Sequence, residues 1–377
     1  MQTLATQDAP RVRDSLGLKS SAHDPGRAVE ILSIATANPP IKLRQEDALQ
    51  GARSVFPQFA RLEALFANTG IDYRYNCMPV DWYQTPHTWE ERTEVFQKHA
   101  LDLLERIAVN ATEGADLKLS DIDAIVTNTI TGLAIPSLDA LLMNRLDFAS
   151  HAERMPIFGL GCGGGVAGLA RAARMAQGRP GANVLFMTVD LCSLCARPND
   201  PSMAMFVSAA LFGDGAAGVV LRTAEPGAAA GDEANAKARI LTFGEHLWPK
   251  TRHIMGWDIK GDGFGVVLSP ELPALMRDNL GPALRAFLDR NGMMLEDFKG
   301  FLIHPGGRKV LETAEEVLGI GRAQIIHSWD VLRDFGNMSS ATALFVLERA
   351  IQSGVKGRHL LAAFGPGFSA YFAALDL

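Results

Sequence analysis

Two separate parts of this chain repeat the same order of structural signals, and this repetition restricts the folds that it can adopt. The stretches Leu119-Ser-Asp-Ile-Asp-Ala-Ile-Val and Leu295-Glu-Asp-Phe-Lys-Gly-Phe-Leu each place an acidic turn before a short apolar run. Further along, segments that begin at Gly161 and at Gly336 each open an amphipathic helix that is followed by a strand. Two matches in the same order indicate an internal duplication.

The apolar runs have the lengths of strands and alternate with helical patterns, which indicates an α/β fold. The strand-like runs are Ala124 to Val126, Val184 to Val189, Ala217 to Leu221 and Phe301 to Ile303. We predict an N-terminal half over residues 28–223 and a C-terminal half over residues 238–377. Residues 224–237, dense in Ala, Gly, Glu and Pro, are expected to connect the halves, and residues 1–27 to form a flexible extension.

Charge and composition disfavour several classes of function. A formal net charge of -6 and a pI near 5.9 give no overall attraction for nucleic acid or for an acidic membrane. The first 27 residues contain no apolar stretch suited to a signal peptide, and no later segment is apolar for long enough to span a bilayer. We therefore expect a cytoplasmic protein whose four cysteines are free thiols.

Cys162 is the candidate nucleophile. It lies in Gly159-Leu-Gly-Cys-Gly-Gly-Gly, after an apolar segment and at the start of a predicted helix. Backbone amides and the positive end of a helix stabilise a thiolate, and glycines allow a bulky acyl thioester to approach closely. A phosphate loop is disfavoured because no Lys-Ser/Thr pair ends the run. Taken alone, such a cysteine would be a small buried core residue.

Two further polar residues occupy comparable places in the C-terminal half. His304 ends a buried strand in Phe301-Leu-Ile-His-Pro-Gly-Gly, and strand ends are where α/β folds build their sites. Asn337 lies at or near a helix start, where helix capping would be its ordinary role. If the halves pack about a pseudo-twofold axis, both residues converge on Cys162.

This set of residues resembles the chalcone synthase superfamily of type III polyketide synthases. Besides the three polar residues, Leu211-Phe-Gly-Asp-Gly-Ala-Ala and Phe364-Gly-Pro-Gly-Phe carry the resemblance, in the family's order, from about residue 28 to the C-terminus. It implies a thiolase-like duplicated fold, layered αβαβα with two pseudo-symmetric halves. It also implies a homodimer that condenses an acyl-CoA starter with malonyl-CoA, without a metal, a cofactor or an acyl carrier protein.

The resemblance assigns a role to each of the three polar residues. A His304 imidazolium paired with Cys162 would keep the thiolate charged and ready to accept an acyl group. His304 Nε2–H and the Asn337 amide would stabilise the enolate that forms when malonyl-CoA loses carbon dioxide. Backbone amides near Cys162 and in the loop of Gly365, Pro366 and Gly367 would hold the oxyanion of the Claisen condensation.

Two phenylalanines are similar to the gatekeeping aromatics of the family. Phe212 is fixed by its motif, whereas Phe264 lies in Gly-Asp-Gly-Phe-Gly-Val-Val and could equally be an ordinary core residue. As gatekeepers they would separate the coenzyme A tunnel from the acyl cavity.

Departures from the plant pattern bear on specificity. The family's cationic coenzyme A segment keeps only Arg61, so phosphate contacts must come partly from elsewhere. Cys195 is a candidate cavity residue, and Ile130, Thr131 and Ile135 form a mostly apolar wall, with Ile135 expected to reach the partner subunit's cavity. An apolar wall favours a fatty acyl starter and an alkylpyrone or alkylresorcinol product.

Other readings remain open from the sequence. A single-round enzyme similar to ketoacyl synthase III would require acyl carrier protein, and a catalytically silent thiolase-like subunit would only bind acyl chains. A zinc half-site at Cys192 and Cys195 is disfavoured, because no second Cys/His pair with suitable spacing accompanies it.

Overall fold

The computed structural model describes residues 28–224 and 236–377. The strands are β1 (Val29–Ala37), β2 (Ile41–Arg44), β3 (Tyr73–Asn76), β4 (Ala124–Thr129), β5 (Glu153–Phe158), β6 (Val184–Leu191), β7 (Asp214–Thr223), β8 (Ala238–Leu247), β9 (Met255–Lys260), β10 (Gly263–Leu268), β11 (Gly300–Ile303), β12 (Arg358–Gly365) and β13 (Ser369–Asp376). The α-helices are α1 (Gln45–Val55), α2 (Ala64–Ala67), α3 (Trp89–Glu113), α4 (Leu138–Met143), α5 (Gly164–Gly178), α6 (Met203–Leu211), α7 (Leu272–Arg290), α8 (Arg308–Leu318), α9 (Ile326–Phe335) and α10 (Thr342–Gln352). The predicted extension over residues 1–27, and almost all of the predicted connection over 224–237, lie outside the described residues.

One sheet organises the fold, in the strand order β11-β12-β13-β8-β1-β7-β6-β4-β5. Strands from the earlier part of the chain occupy one end of this sheet and strands from the later part occupy the other. They meet where β1 pairs antiparallel with β8, with Val29 opposite Ile240. On both sides the inner strands are antiparallel, while β4 with β6 and β11 with β12 are parallel. The predicted duplicated α/β fold is therefore confirmed.

Two central helices are each covered by strands from both halves of this sheet. Helices α5 and α10 each contact strands from both halves, whereas α3 covers the outside of the first half and α7 the outside of the second. Nearly every residue of α5 from Gly164 to Ala173 is buried, as expected for a helix enclosed on all sides. The arrangement is the layered αβαβα architecture that the resemblance implies.

Glycines allow the central helices to approach each other and the sheet. A Cβ atom on Gly165 would overlap the Ser340 carbonyl oxygen, and one on Gly168 would overlap the Phe186 ring. Backbones in direct contact leave no space for a side chain, so these positions need glycine. The contact places the turn before α5 beside the turn before α10.

Those two turns have the same local geometry. Gly161, before the first helix, has φ 51°, and Ser339, before the second, also has φ 51°. Each residue starts a short 3-10 turn, Gly161–Gly163 or Ser339–Ala341, that runs directly into the helix. Because left-handed φ values are costly for residues other than glycine, the repeated value at Ser339 is a feature held by the surrounding fold.

The helix contact predicts a specific loss of stability. Gly165→Ala would force the central helices apart, and overpacking of this kind costs about 1 to 3 kcal/mol. We expect a lower melting temperature and reduced condensing activity, measured by thermal denaturation and product formation. Gly178→Ala is the matched control, because a Cβ atom there meets nothing within 4 Å. Equal behaviour of the two variants would contradict the packing argument.

Candidate active site

Cys162 lies in the turn that joins β5 to α5. The backbone of the C-terminal loop packs directly on this turn: a Cβ on Gly365 would overlap the Leu160 carbonyl oxygen, and a Cβ on Gly161 would lie 2.5 Å from Pro366 Cδ. Glycine at both positions therefore brings the backbone amides of the two segments together. This proximity agrees with the oxyanion role predicted for the loop.

His304 follows the last residue of β11 and has an unsatisfied imidazole. Its backbone N–H donates to the Ala362 carbonyl at 2.8 Å, which fixes the residue at the strand end. The side chain is 1% exposed, yet neither ring nitrogen has a hydrogen-bond partner. A buried polar group without a partner is costly, and in native proteins such groups are concentrated where a ligand completes them.

The Asn337 side chain is held in one orientation. Its Oδ1 accepts a hydrogen bond from the Ser339 N–H at 2.8 Å, and its Nδ2 donates to the Gly306 carbonyl at 3.1 Å. The Asn337 backbone also bonds to Leu211 and Gly213, the residues on either side of Phe212. The second Nδ2 hydrogen is available to the Cys162 sulfur or to a ligand that replaces it, since an amide has two donors. Asn337 therefore does more than cap a helix.

One cavity of about 350 Å³ brings these three residues together. Cys162, His304 and Asn337 all line it, although they come from distant parts of the chain. The remaining lining is mostly apolar and includes Ile130, Phe158, Leu211, Met255, Trp257, Ile259, Val266, Val267, Leu268, Leu272, Met276, Val310 and Phe364. The convergence predicted from the sequence is present in the structure.

Burial sets the protonation states in the cavity. Desolvation raises the pKa of the Cys162 thiol to about 11, although hydrogen bonding by Ser339 and Asn337 opposes the shift. Desolvation also lowers the pKa of His304 to about 3. Both shifts favour a neutral thiol and a neutral imidazole, because no partner compensates the ring for its lost hydration. These shifts oppose the imidazolium–thiolate pair expected from the sequence, which stays a prediction for the alkylation experiment below.

A buried carboxylate beneath the cavity was missed by the sequence reasoning. Asp190 accepts hydrogen bonds from the Ile130 N–H at 2.8 Å and from the Ser340 N–H and hydroxyl at 3.0 and 2.5 Å. Burial raises the pKa of Asp190, and these donors oppose the shift. Asp190 links the strand that carries Ile130 to the turn before α10. A lone acidic residue in the apolar run Val184–Leu191 was the available signal.

Both predicted gatekeepers line the cavity. Phe212 ends α6, and its carbonyl accepts a hydrogen bond from the buried guanidinium of Arg74 at 2.9 Å. Phe264 is 7% exposed and packs among aromatic rings, with centroids 5.3 Å from Trp89 and 5.9 Å from Trp257. Both rings therefore form part of the cavity wall, including Phe264, whose role the sequence left undecided.

Several predicted site residues lie elsewhere. Cys195 ends the 3-10 turn Cys192–Cys195 that follows β6, and it lines a smaller cavity of about 100 Å³ that shares Phe212 with the catalytic cavity. The Thr131 hydroxyl donates to Asp190 and accepts from the Leu191 N–H, so it is committed to the core and does not line the catalytic cavity. Arg61 is exposed on a 3-10 helix and does not line this cavity.

Of the other residues predicted for the apolar wall and the C-terminal loop, some line the catalytic cavity and some do not. Ile130, Pro366 and Gly367 line the cavity, whereas Gly365 is buried behind them. Ile135 is 98% exposed in the single chain. Its contact with a partner subunit stays a prediction. Within residues 28–224 and 236–377, no group of His, Cys, Asp and Glu residues is arranged to hold a metal ion. No described helix is long and apolar enough to cross a membrane.

A cysteine thiol at a helix start, with an imidazole and a carboxamide in a buried apolar cavity, defines a condensing enzyme of the thiolase fold. The N-terminal domain model of chalcone and stilbene synthases matches residues 77–226, and the C-terminal domain model matches residues 240–372. The chain belongs to this family and is a type III polyketide synthase, an acyltransferase.

Relatives and solved structures agree with this assignment. The chain is 35% identical to a 1,3,6,8-tetrahydroxynaphthalene synthase of Streptomyces peucetius subsp. caesius, over 93% of each chain. It is 26% identical to an alpha-pyrone synthesis polyketide synthase-like protein of Mycobacterium tuberculosis, over 100% of this chain and 99% of the relative. The crystal structure of the tetrahydroxynaphthalene synthase of Streptomyces coelicolor superposes with a TM-score of 0.85 at 30% identity, covering 92% of this chain and 99% of that one.

The protonation states predict how Cys162 reacts. Because its pKa is raised to about 11, the thiolate fraction should increase about tenfold for each pH unit between pH 7 and 10. We expect the rate of alkylation by iodoacetamide, followed by peptide mass spectrometry, to increase in the same way. Cys162→Ala is the control for labelling at the other thiols. If the alkylation rate stays the same from pH 7 to pH 10, the Cys162 thiol is already ionised at pH 7. That result would establish the imidazolium–thiolate pair with His304 instead.

Proposed function

We propose that this enzyme extends a fatty acyl-CoA starter by repeated decarboxylative condensation with malonyl-CoA and cyclises the product to an alkylpyrone or alkylresorcinol. The observation that carries this proposal is the pair of unpartnered His304 ring nitrogens, in one apolar cavity with a thiol and an oriented carboxamide. Most of the polar groups that line this cavity belong to its reacting centre. The rest of its surface suits a hydrocarbon chain.

Acyl transfer to the thiol is the first step. In the neutral pair, His304 accepts the Cys162 proton as the sulfur attacks the thioester carbonyl, so that charge develops only when the substrate is in place. The Cys162 sulfur gains the acyl group, and coenzyme A leaves as its thiol after taking up the proton. Backbone amides of the Cys162 turn and the adjoining C-terminal loop lie beside the developing oxyanion.

Extension uses the same imidazole in a different role. When malonyl-CoA loses carbon dioxide, negative charge moves to the thioester oxygen, and a neutral His304 donates its ring N–H to that oxygen. The second Nδ2 hydrogen of Asn337, the one that does not bind the Gly306 carbonyl, supplies the other donor. The resulting carbanion attacks the acyl-Cys162 thioester, forms the new carbon–carbon bond and expels Cys162 as a thiolate, which then takes up a proton from water. Loss of one such donor costs on the order of a hundredfold in rate.

The cavity wall supports a fatty acyl starter. Its side chains are aliphatic or aromatic, apart from the reacting groups, Arg252 and Ser339. The Trp257 indole N–H is satisfied by the Ile130 carbonyl at 2.8 Å, so this ring presents only an apolar face to a ligand. Burial of each methylene group contributes roughly 0.8 kcal/mol, so a long acyl chain gains affinity on such a wall.

A second product class is favoured by one comparison. The relative that is 35% identical is named a 1,3,6,8-tetrahydroxynaphthalene synthase, and that product carries no alkyl chain. If this chain makes a similar compound, malonyl-CoA alone should give a polyhydroxylated aromatic product. The apolar wall argues against this alternative, because an unsubstituted poly-β-keto chain offers it few methylene groups.

The proposed function is tested by acyl capture on Cys162. Wild-type enzyme incubated with a series of acyl-CoA starters and malonyl-CoA should give extended, cyclised products, detected by mass spectrometry. Intact-protein mass spectrometry should show an acyl adduct that Cys162→Ala lacks. Product from acyl carrier protein thioesters only, or a single extension only, would favour the single-round alternative. Activity retained by Cys162→Ala would exclude covalent catalysis at this residue.

Starter length should depend on the volume of the cavity. Met276 is 1% exposed and lines the cavity, so Met276→Ala enlarges the space available to the acyl chain. We expect kcat/KM to shift towards starters longer by two or more carbons, by about tenfold, as measured with a panel of acyl-CoA lengths. Met205→Ala is the control, since Met205 is equally buried but does not line this cavity. If Met205→Ala changes the preferred starter length as much as Met276→Ala does, Met276 does not limit the space for the acyl chain.

A further inference from the structure

The C-terminal end of α6 supports Asn337 through the backbone around Phe212. The Leu211 carbonyl accepts the Asn337 N–H at 2.9 Å, and the Gly213 N–H donates to the Asn337 carbonyl at 2.9 Å. These two bonds form a parallel bridge between Phe212 and Asn337. The position of the carboxamide in the catalytic cavity therefore depends on how the end of α6 is held.

Arg74, on β3, binds the same helix end. A helix leaves its last carbonyl groups without partners inside the helix. Nη1 of Arg74 donates to the Ala209 and Phe212 carbonyls at 2.7 and 2.9 Å. Nη2 donates to the Ala210 carbonyl at 2.6 Å and to the side-chain oxygen of Gln45. One guanidinium thus holds the last turn of α6 and the gatekeeper backbone together.

These bonds lie in the interior of the protein. Arg74 is 2% exposed, and burial lowers the pKa of Arg74 to about 10, which leaves the guanidinium charged at neutral pH. The buried carboxylate of Asp214 opposes the shift in this pKa. The negative end of a helix also favours a cation. Without Arg74, three buried carbonyls would each lose a donor, and the helix end would have to move to replace it.

Two glycines bring the Arg74 strand close to the bridge. A Cβ on Gly213 would lie 3.2 Å from Arg74 Cβ, and a Cβ on Gly336 would lie 3.7 Å from the same atom. The segments that carry the guanidinium, the gatekeeper and the carboxamide are therefore in direct contact. A displacement at the end of α6 would be transmitted to the carboxamide.

We propose that Arg74 is a positioning residue for decarboxylation: by holding the C-terminal end of α6 it sets the Asn337 carboxamide that stabilises the enolate. Arg74 does not line the catalytic cavity and acts only through Asn337. The inference rests on the proposed role of Asn337. It does not depend on the starter, because decarboxylation of malonyl-CoA can be measured without one.

The first test separates decarboxylation from acyl transfer in Arg74→Gln. A glutamine amide cannot reach all three carbonyls, so the carboxamide should lose its alignment. We expect kcat for decarboxylation of malonyl-CoA, measured as acetyl-CoA formed, to fall about tenfold to a hundredfold while KM changes little. Acylation of Cys162 by an acyl-CoA, measured in a single turnover by intact-protein mass spectrometry, should fall less than about threefold, since Asn337 is not the donor for that step.

Both rates are divided by the amount of enzyme that can be acylated, so that loss of folded protein does not enter the comparison. Arg74→Lys retains the charge and should recover part of the decarboxylation rate. An equal fall in the two rates, or no fall in decarboxylation, overturns the proposal.

A double-mutant cycle identifies the route of the effect. Asn337→Ala removes the donor itself, so adding Arg74→Gln to that variant should lower decarboxylation by less than about twofold. Effects that multiply in full would overturn the proposal, because a general disturbance of the fold acts whether or not the carboxamide is present.

Arg222 provides a matched control. It lies on β7 and donates through Nε and Nη2 to the Asn183 side-chain oxygen at 2.8 and 2.6 Å, and it does not line the catalytic cavity. Arg222→Gln should keep the ratio of the two rates at the wild-type value. A selective fall in decarboxylation in this control would show that loss of any inner arginine has the same effect, and would overturn the proposal.

A milder variant serves if Arg74→Gln does not fold. Gln45 accepts one Arg74 hydrogen and donates to the Ala210 carbonyl at 2.9 Å, so Gln45→Leu loosens the same helix end while the guanidinium remains. Decarboxylation should fall about threefold to tenfold, with little change in acylation. Rates that stay unchanged, or that fall together, count against the proposal.

A crystal structure of the folded variant tests the geometry without turnover. The bonds from Asn337 to Leu211 and Gly213 should lengthen beyond about 3.5 Å, the limit of a hydrogen bond. An Asn337 side chain in its wild-type position would overturn the proposal whatever product the enzyme makes. A displaced side chain, in an enzyme whose wild type does not decarboxylate malonyl-CoA, would support the positioning role and reject the proposed function.

Discussion

The contact between the two central helices determines the geometry of the active site. Gly165 lies against the Ser340 backbone, so the turn before α5 and the turn before α10 touch. Cys162 belongs to the first turn, and Asn337 precedes the second, where its oxygen accepts the Ser339 N–H. His304 reaches the same place from the neighbouring strand β11. A side chain at position 165 would separate the groups whose proximity the chemistry requires.

The same close packing determines the electrostatics of the site. Because His304 is buried and Cys162 is half-buried in the cavity, desolvation favours the neutral form of each. A neutral imidazole can accept the thiol proton during acyl transfer and can donate its N–H during decarboxylation, and one tautomer change connects these roles. Burial therefore prepares the pair for both steps.

The sequence predicted the site better than its surroundings. Cys162, His304 and Asn337 were found because each follows a strand or opens a helix within a recognisable motif, and such local signals survive in the linear order. Cys195 and Thr131 lie outside the catalytic cavity, because both follow a strand in irregular or 3-10 backbone, where contacts with distant residues decide the direction of a side chain. Asp190 was missed since its importance arises from contacts with Ile130 and Ser340, 60 and 150 positions away. Ser339 was missed because its contact with Cys162 joins distant parts of the chain.

The amino-acid order alone determined the duplicated α/β fold, the nucleophile and the family, because strand and helix periodicities and glycine-rich turns are local properties of the chain. Tertiary structure decided the burial of the thiol and imidazole, which moves their pKa values in opposite directions, and the apolar character of the cavity wall. These properties depend on desolvation and on distances between residues remote in sequence. They exist only after the two halves have packed around α5 and α10.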